Sequence, residues 1–345
     1  PMRRIAALTL AACLALPAAN AQSPATPPAQ SPAPQLLETA MVRMPGPGMW
    51  KVSRGEHTLW ILGTVSPLPA GMAWNSARVR AVVAQAGEVI APPGITVDAD
   101  VGFFGKLALL PSLVGVRSLP DDRRLADVVP ADDYARWTVL KRRYIGRDGS
   151  VERWRPMFAG FELYDRAIKS IGLSTRNVVA SELEAAMKAR GLKAVRPTAK
   201  LTVANPKKAI REFKAADFAD LECFRKTLDR VESDLPALAA RADAWARGDI
   251  DALRNLRHQD LADVCERAML GGQFASRYGM DRLEAESRAK WIAQAESSLS
   301  KHRVSFATLP MREMLMPGGL VATLAARGHA VEAPAAPVDA TPVAE

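Results

Sequence analysis

Thr58-Leu59-Trp60-Ile61-Leu62-Gly63-Thr64-Val65-Ser66-Pro67 is the stretch that decides the fold. Apolar residues run through Val65 and Pro67 bounds them, which predicts a short apolar strand over Thr58–Val65 with Ser66 just after it. Upstream, Met49–Val52 is a second short apolar run, and Gly55 lies between the two, so residues 49–65 read as a hairpin. Downstream, an amphipathic helix is expected from near Ala73 to Ala86. A brief strand Glu88–Ala91 follows, closed by Pro92-Pro93-Gly94. From 121 to 192 the pattern is mostly helical, and from 206 to 300 almost wholly so. Breaks are expected at Pro236 and at Gly248-Asp249, where glycine ends one helix and aspartate caps the next. Strand character returns at Val304–Leu309, followed by Pro317-Gly318-Gly319, a helix over 319–327 and a last strand around His329–Glu332. Strands at both ends of a long helical middle predict an α+β fold. Its mixed β-sheet is built from N- and C-terminal segments, with a large, mostly helical middle between them. No repeat of fixed period is present.

The ends of the chain read differently. Arg3 and Arg4 precede an apolar run from Ile5 to Ala19, and Ala19-Asn20-Ala21 offers a small-residue cleavage site. This is the pattern of a secretory signal peptide over 1–21, with Met2 the expected initiator. Fifteen residues interrupted by Pro17 are too few to span a bilayer. A rival reading takes Leu10-Ala11-Ala12-Cys13 as a lipobox, with lipid on Cys13. Residues 22–48 and 333–345 are rich in Pro and Ala and read as a disordered linker and tail around a domain at 49–332. The best later apolar run, Leu107–Val116, holds Pro111 and Ser112, so no transmembrane anchor is expected after cleavage. The predicted location is therefore exported: periplasmic or secreted.

Of 345 residues only three are Cys and four His, which excludes zinc arrays and multi-haem chains. Losing the leader takes the formal +9 down by two, to +7, and leaves Cys223 and Cys265. In an oxidising compartment the pair suggests a disulfide; two separate buried thiols are the alternative. His57, His258, His302 and His329 show no metal-binding spacing, and two Cys are too few for a structural zinc. Gly271-Gly272 and Gly318-Gly319 form no phosphate loop, and no GxSxG is present. Ser66 sits at an exposed strand end, where a nucleophile is conceivable and a turn-initiating Ser-Pro is the plainer reading. Lys141-Arg142-Arg143 and Lys207-Lys208 carry no interleaved aromatics, which argues against nucleic acid. They read as solvated helix faces, with acidic polysaccharide or anionic lipid headgroups as the partners they would suit. Trp74, Trp137, Trp154, Trp245 and Trp291 fall at apolar helical phases and read as core.

Several segments together resemble one family. They are Trp50-Lys51-Val52, Leu59–Val65, Phe218-Ala219-Asp220-Leu221 with Cys223, and Ala244-Trp245-Ala246-Arg247-Gly248-Asp249. Phe306–Leu309, Gly318-Gly319-Leu320-Val321 and Leu324–His329 complete the set. Across 49–332 the chain is similar to TraB/GumN proteins, relatives of the Tiki metalloproteases. The resemblance implies a mixed sheet that brings two GxxH motifs together. In active members a metal would be held by those histidines and a Glu after an early strand, and would activate water. This chain departs at each position: Ser66 replaces the first His, Ala91-Pro92 the carboxylate, and Pro310-Met311-Arg312-Glu313 the second motif, with Glu313 at the His place. Ser287-Arg288 precede Trp291 where the family tends to carry Arg-Asn.

The resemblance therefore implies a divergent member without the family's metal ligands, and so no cofactor and no catalytic residue of the family type. The expected remnant is a pocket lined by Ser66, Arg312 and Glu313 over a floor of Gly63 and Thr64. The leading expectation is a non-catalytic binder of an envelope protein, a peptide or an anionic polysaccharide. One alternative is a peptidase-like hydrolase using Ser66 and Glu313, with Arg312 stabilising negative charge. The other is a polysaccharide binder acting through its basic surface.

Overall fold

The computed structural model describes residues 46–176, 178–216, 218, 220–255, 261–270 and 272–335. The first two strands form the expected hairpin. β1 (Met49–Arg54) pairs antiparallel with β2 (His57–Thr64) around Gly55, whose φ of 58° suits a turn residue without a side chain. A two-residue β3 (Leu68–Pro69) follows, then α1 (Ala77–Gln85) and β4 (Glu88–Ile90). Helix α1 starts later than Ala73 because Trp74 and Asn75 are in irregular chain, and the Asn75 Oδ1 accepts from the Ala77 N–H at 3.2 Å.

The helical middle runs from α2 (Phe103–Leu113) through α3 (Leu125–Val128), α4 (Ala131–Tyr144), α5 (Pro156–Ser170) and α6 (Val178–Ala189). It continues with α7 (Pro206–Ala215), α8 (Leu221–Asp229), α9 (Leu235–Arg247), α10 (Ile250–Asn255), α11 (Leu261–Leu270), α12 (Gln273–Arg277) and α13 (Leu283–Lys301). Pro236 does not break it. A π-helical turn at Arg230–Asp234 carries α8 into α9, and Pro236 falls just after this wider turn, where the regular i→i−4 bonding is already interrupted. Trp154 likewise lies outside a helix, just after a 3₁₀ turn at Ser150–Arg153.

The chain closes with β8 (Val304–Pro310), α14 (Met311–Leu315), α15 (Leu320–Ala326) and β9 (Ala330–Glu332). The main sheet has the order β4-β8-β2-β1-β9. Strand β8 is parallel to both β2 and β4, and β9 is antiparallel to β1. Central β8 is buried along most of its length, as a parallel strand covered on both faces should be. Helix α13 lies on the sheet, and its Ser298 hydroxyl donates to Ser305 of β8 at 2.7 Å.

Four further strands were not legible. β5 (Gly94–Ala99) and β7 (Thr198–Val203) form a separate parallel pair, and β3 pairs with β6 (Leu173–Ser174). Packing also reaches slightly past the expected limits of the domain: Gly46 and Pro47 are buried, and Gly48 abuts Pro334.

One apolar core surrounds the main sheet and includes Leu59, Ile61, Trp245, Trp291 and Phe306. A second lies in the helical middle around Trp137, Leu163, Phe224 and Leu228. A small third cluster holds Met157, Val264 and the two cysteines.

Candidate functional site

The parallel register places Gly63 beside Leu309 and Thr64 beside Pro310. Residues 63–66 and 310–313 therefore leave the sheet side by side, at the carboxyl ends of β2 and β8, with the end of β4 next to them. Carboxyl ends of parallel strands are where open sheets of this kind hold ligands.

The strand ends are fastened by indoles. Trp245 Nε1 donates to the Gly63 carbonyl at 2.7 Å, and Trp291 Nε1 to the Ala91 carbonyl at 3.1 Å. Thr64 Oγ1 donates to the Leu309 carbonyl at 3.2 Å. The two indole bonds satisfy backbone acceptors at the strand ends. Gly248 explains the rest of the Trp-x-x-Gly-Asp segment. It ends α9 at φ 71°, a Cβ there would stand 2.7 Å from the Gly46 carbonyl, and Asp249 Oδ1 caps α10 through the Ala252 N–H at 2.9 Å.

Beyond the strand ends the space is filled from within. A Cβ at Gly63 would lie 2.7 Å from Met311 Cε and 3.3 Å from Met314 Cγ, so the two methionines occupy the floor. Glu313 is 5% exposed. Arg288 Nη1, reaching across from α13, donates to both of its carboxylate oxygens at 2.6 Å, and Nη2 donates to the Gly318 carbonyl at 2.9 Å. The Leu320 N–H donates to Glu313 Oε2 at 3.3 Å. Gly319 makes this return possible, because a Cβ there would stand 2.4 Å from the Glu313 carbonyl.

Arg312 is half-buried beside them, 4.0 Å from Glu313 Oε1 and 3.8 Å from Glu266 Oε2. Burial, then the charges of Glu284 and Glu313, push the Glu266 carboxyl above its ordinary value. Ser66 is exposed, and among the described residues no hydrogen bond joins it to Glu313. The structure thus brings Gly63, Thr64, Arg312 and Glu313 together and leaves Ser66 on the outer edge.

The described histidines gather at the opposite end of the sheet. His57 opens β2 and its ring Nδ1 lies 2.6 Å from the Leu299 carbonyl; His302 precedes β8; His329 precedes β9 and lies 3.5 Å from Glu296. The eight residues of β2 separate His57 from the strand end by roughly 23 Å, at about 3.3 Å per residue. His258 lies outside the described residues.

A divalent metal does not fit the residues at the carboxyl ends. Among the described residues the buried carboxylate there is that of Glu313, already held by a guanidinium, and a cation beside it would face Arg288 and Arg312. Ser66 adds a neutral hydroxyl, a poor substitute for imidazole.

Cys223 of α8 and Cys265 of α11 are joined, with Cα atoms 4.7 Å apart. The bridge anchors the helix that carries Glu266 toward Arg312. The basic run at 141–143 is partly occupied internally: Lys141 pairs with Glu152 at 3.0 Å, and Arg143 lies over the Tyr144 ring. Trp137, Trp245 and Trp291 are fully buried.

Arg288 is the residue whose part was not readable beforehand. Its departure from the family pattern was visible, but its partner lies 25 positions away on another element.

A sequence model described as the TraB/PrgY/gumN family matches residues 48–333. No curated protein and no solved structure matches the chain.

Proposed function

The chain belongs to the TraB/PrgY/gumN family, and from that premise we propose that it is an exported member whose ligand position has been given to an internal ion pair, so that it acts by binding rather than catalysis. The carrying observation is Glu313. At the place of the second motif histidine stands a buried carboxylate held through both oxygens by Arg288. Buried polar groups satisfied this completely have little left to offer a metal or a substrate.

The domain runs between a leader at 1–21 with its linker at 22–48 and a tail at 333–345. The apolar, small-residue pattern of the leader and the Cys223–Cys265 bridge both suit an oxidising compartment outside the cytosol. The partner is an envelope protein, a peptide or an anionic polysaccharide.

The test has two arms. Mass spectrometry of chain recovered after expression with its leader should show an N-terminus at Gln22. Hydrolysis of unstructured polypeptides should be the same with and without added zinc, manganese or cobalt, and unchanged in Ser66→Ala/Glu313→Gln. Turnover that vanishes in that double variant would establish the hydrolase reading instead.

A further inference from the structure

Helix α2 reads Phe-Phe-Gly-Lys-Leu-Ala-Leu-Leu-Pro-Ser-Leu and contains no acidic residue. An apolar segment of this length is ordinarily a buried core helix or an interfacial segment, since about 11 residues rise only ~16 Å and cannot cross a bilayer. The structure rules out the first. Leu107 and Leu110 are each 55% exposed, Leu113 48% and the following Val114 76%. Of the described side chains on the helix only Leu109 is buried. Leu107, Leu110 and Leu113 recur every third residue and so line one side.

Helix α7 packs against α2 and supplies the opposite chemistry. It reads Pro-Lys-Lys-Ala-Ile-Arg-Glu-Phe-Lys-Ala, with Lys207, Lys208 and Arg211 exposed. Lys214 ties the two elements by donating to the Val114 carbonyl. The one acid of α7, Glu212, accepts from Tyr278 at 2.8 Å and pairs with Arg277 at 3.4 Å and Lys208 at 3.8 Å, which leaves Lys207 and Arg211 as the cations of α7 that it does not engage. Lys106 on α2 is exposed as well, held by Asp98 at 2.7 Å.

We propose that α2 and α7 form a docking face for an anionic lipid bilayer, with the leucines of α2 entering the interface and the cations of α7 meeting phosphate headgroups. Exposed leucines bordered by lysine and arginine, with acids scarce, are the composition of interfacial membrane contacts. Charge complementarity selects the bilayer over a second copy of the chain, because two such faces would set the same cations against each other. Four exposed apolar side chains also fall short of the roughly 20–30 residues per side of a stable protein interface. This reading is independent of the site at the sheet ends.

The test uses the full chain with vesicles of phosphatidylethanolamine and phosphatidylglycerol, against vesicles of phosphatidylcholine alone. Flotation should show binding to the anionic vesicles. Leu107→Ser/Leu110→Ser/Leu113→Ser should weaken it about tenfold or more, at unchanged melting temperature. Lys207→Ser/Arg211→Ser should weaken it about threefold or more at low salt and remove most of its salt dependence. Deuterium exchange should slow at amides of 103–116 when anionic vesicles are added, which separates this face from the apolar leader. Equal binding by wild type and the leucine variant, or slowed exchange confined to other segments, would overturn the proposal. So would a wild-type dimer that the leucine variant converts to monomer without vesicles.

Discussion

The main sheet and the helical middle are built on separate cores and dispose of their charge differently. At the carboxyl ends of β2 and β8, charge is buried and consumed: Glu313 faces Arg288, and the carbonyls of Gly63 and Ala91 are taken by indoles. In the helical middle, buried charges are held mainly by backbone: Arg155 donates to the carbonyls of Phe213, Lys214 and Ala216, and Asp220 accepts from the Met157 N–H at 3.0 Å. Charge–charge pairs there are partly exposed on at least one side: Arg136 reaches Asp229 at 2.6 Å and Glu232 at 2.7 Å, and Arg225 reaches the buried Asp133 at 2.5 Å. There Arg241 is held down to about 10 by burial beside Arg230. The same helical region carries the disulfide and presents the apolar side of α2. On the proposed reading, a ligand position is closed without disturbing its frame, while contact with a partner falls to the surface of α2 and α7.

Removing the bridge should break the comparison most strongly. Cys223→Ser/Cys265→Ser frees a loop of 42 residues, for a loss of about 4 kcal/mol in the chain-entropy account, read by urea unfolding. The sheet-end pair comes next. Glu313→Ala leaves Arg288 without its main partner and should cost about 3 kcal/mol, whereas Arg288→Met/Glu313→Leu should recover most of that loss. Recovery would show that the pair fills space rather than holding the fold. Trp245→Phe keeps a ring but removes the donor to a buried carbonyl, and should cost about 2 kcal/mol in the same measurement. Asp249→Ala, which removes only the cap of α10, should cost about 1 kcal/mol.

The hairpin, β8 and the Gly248-Asp249 junction were legible because each rests on local chemistry: an apolar run, a bounding Gly or Pro, a capping side chain. β5 and β7 were not. Gly94–Ala99 is mostly exposed and carries Asp98, and its partner strand carries Lys200, so neither shows the apolar pattern of a buried strand. Their pairing also joins residues about 100 positions apart. Pro236 misled because a proline in the first turn of a helix resembles one that ends it. At the site, the absence of a GxxH motif was legible residue by residue. The ion pair there was not, because Arg288 and Glu313 meet only after α13 is laid on the sheet, and the methionines beneath Gly63 look in sequence like ordinary core.

The central claim is that the family ligand position is closed by this ion pair. Calorimetric titration of the full chain with zinc, manganese and cobalt, run beside Glu313→Ala, tests it most directly. The account predicts no stoichiometric binding that depends on Glu313. Binding of one metal per chain that disappears in Glu313→Ala would contradict it.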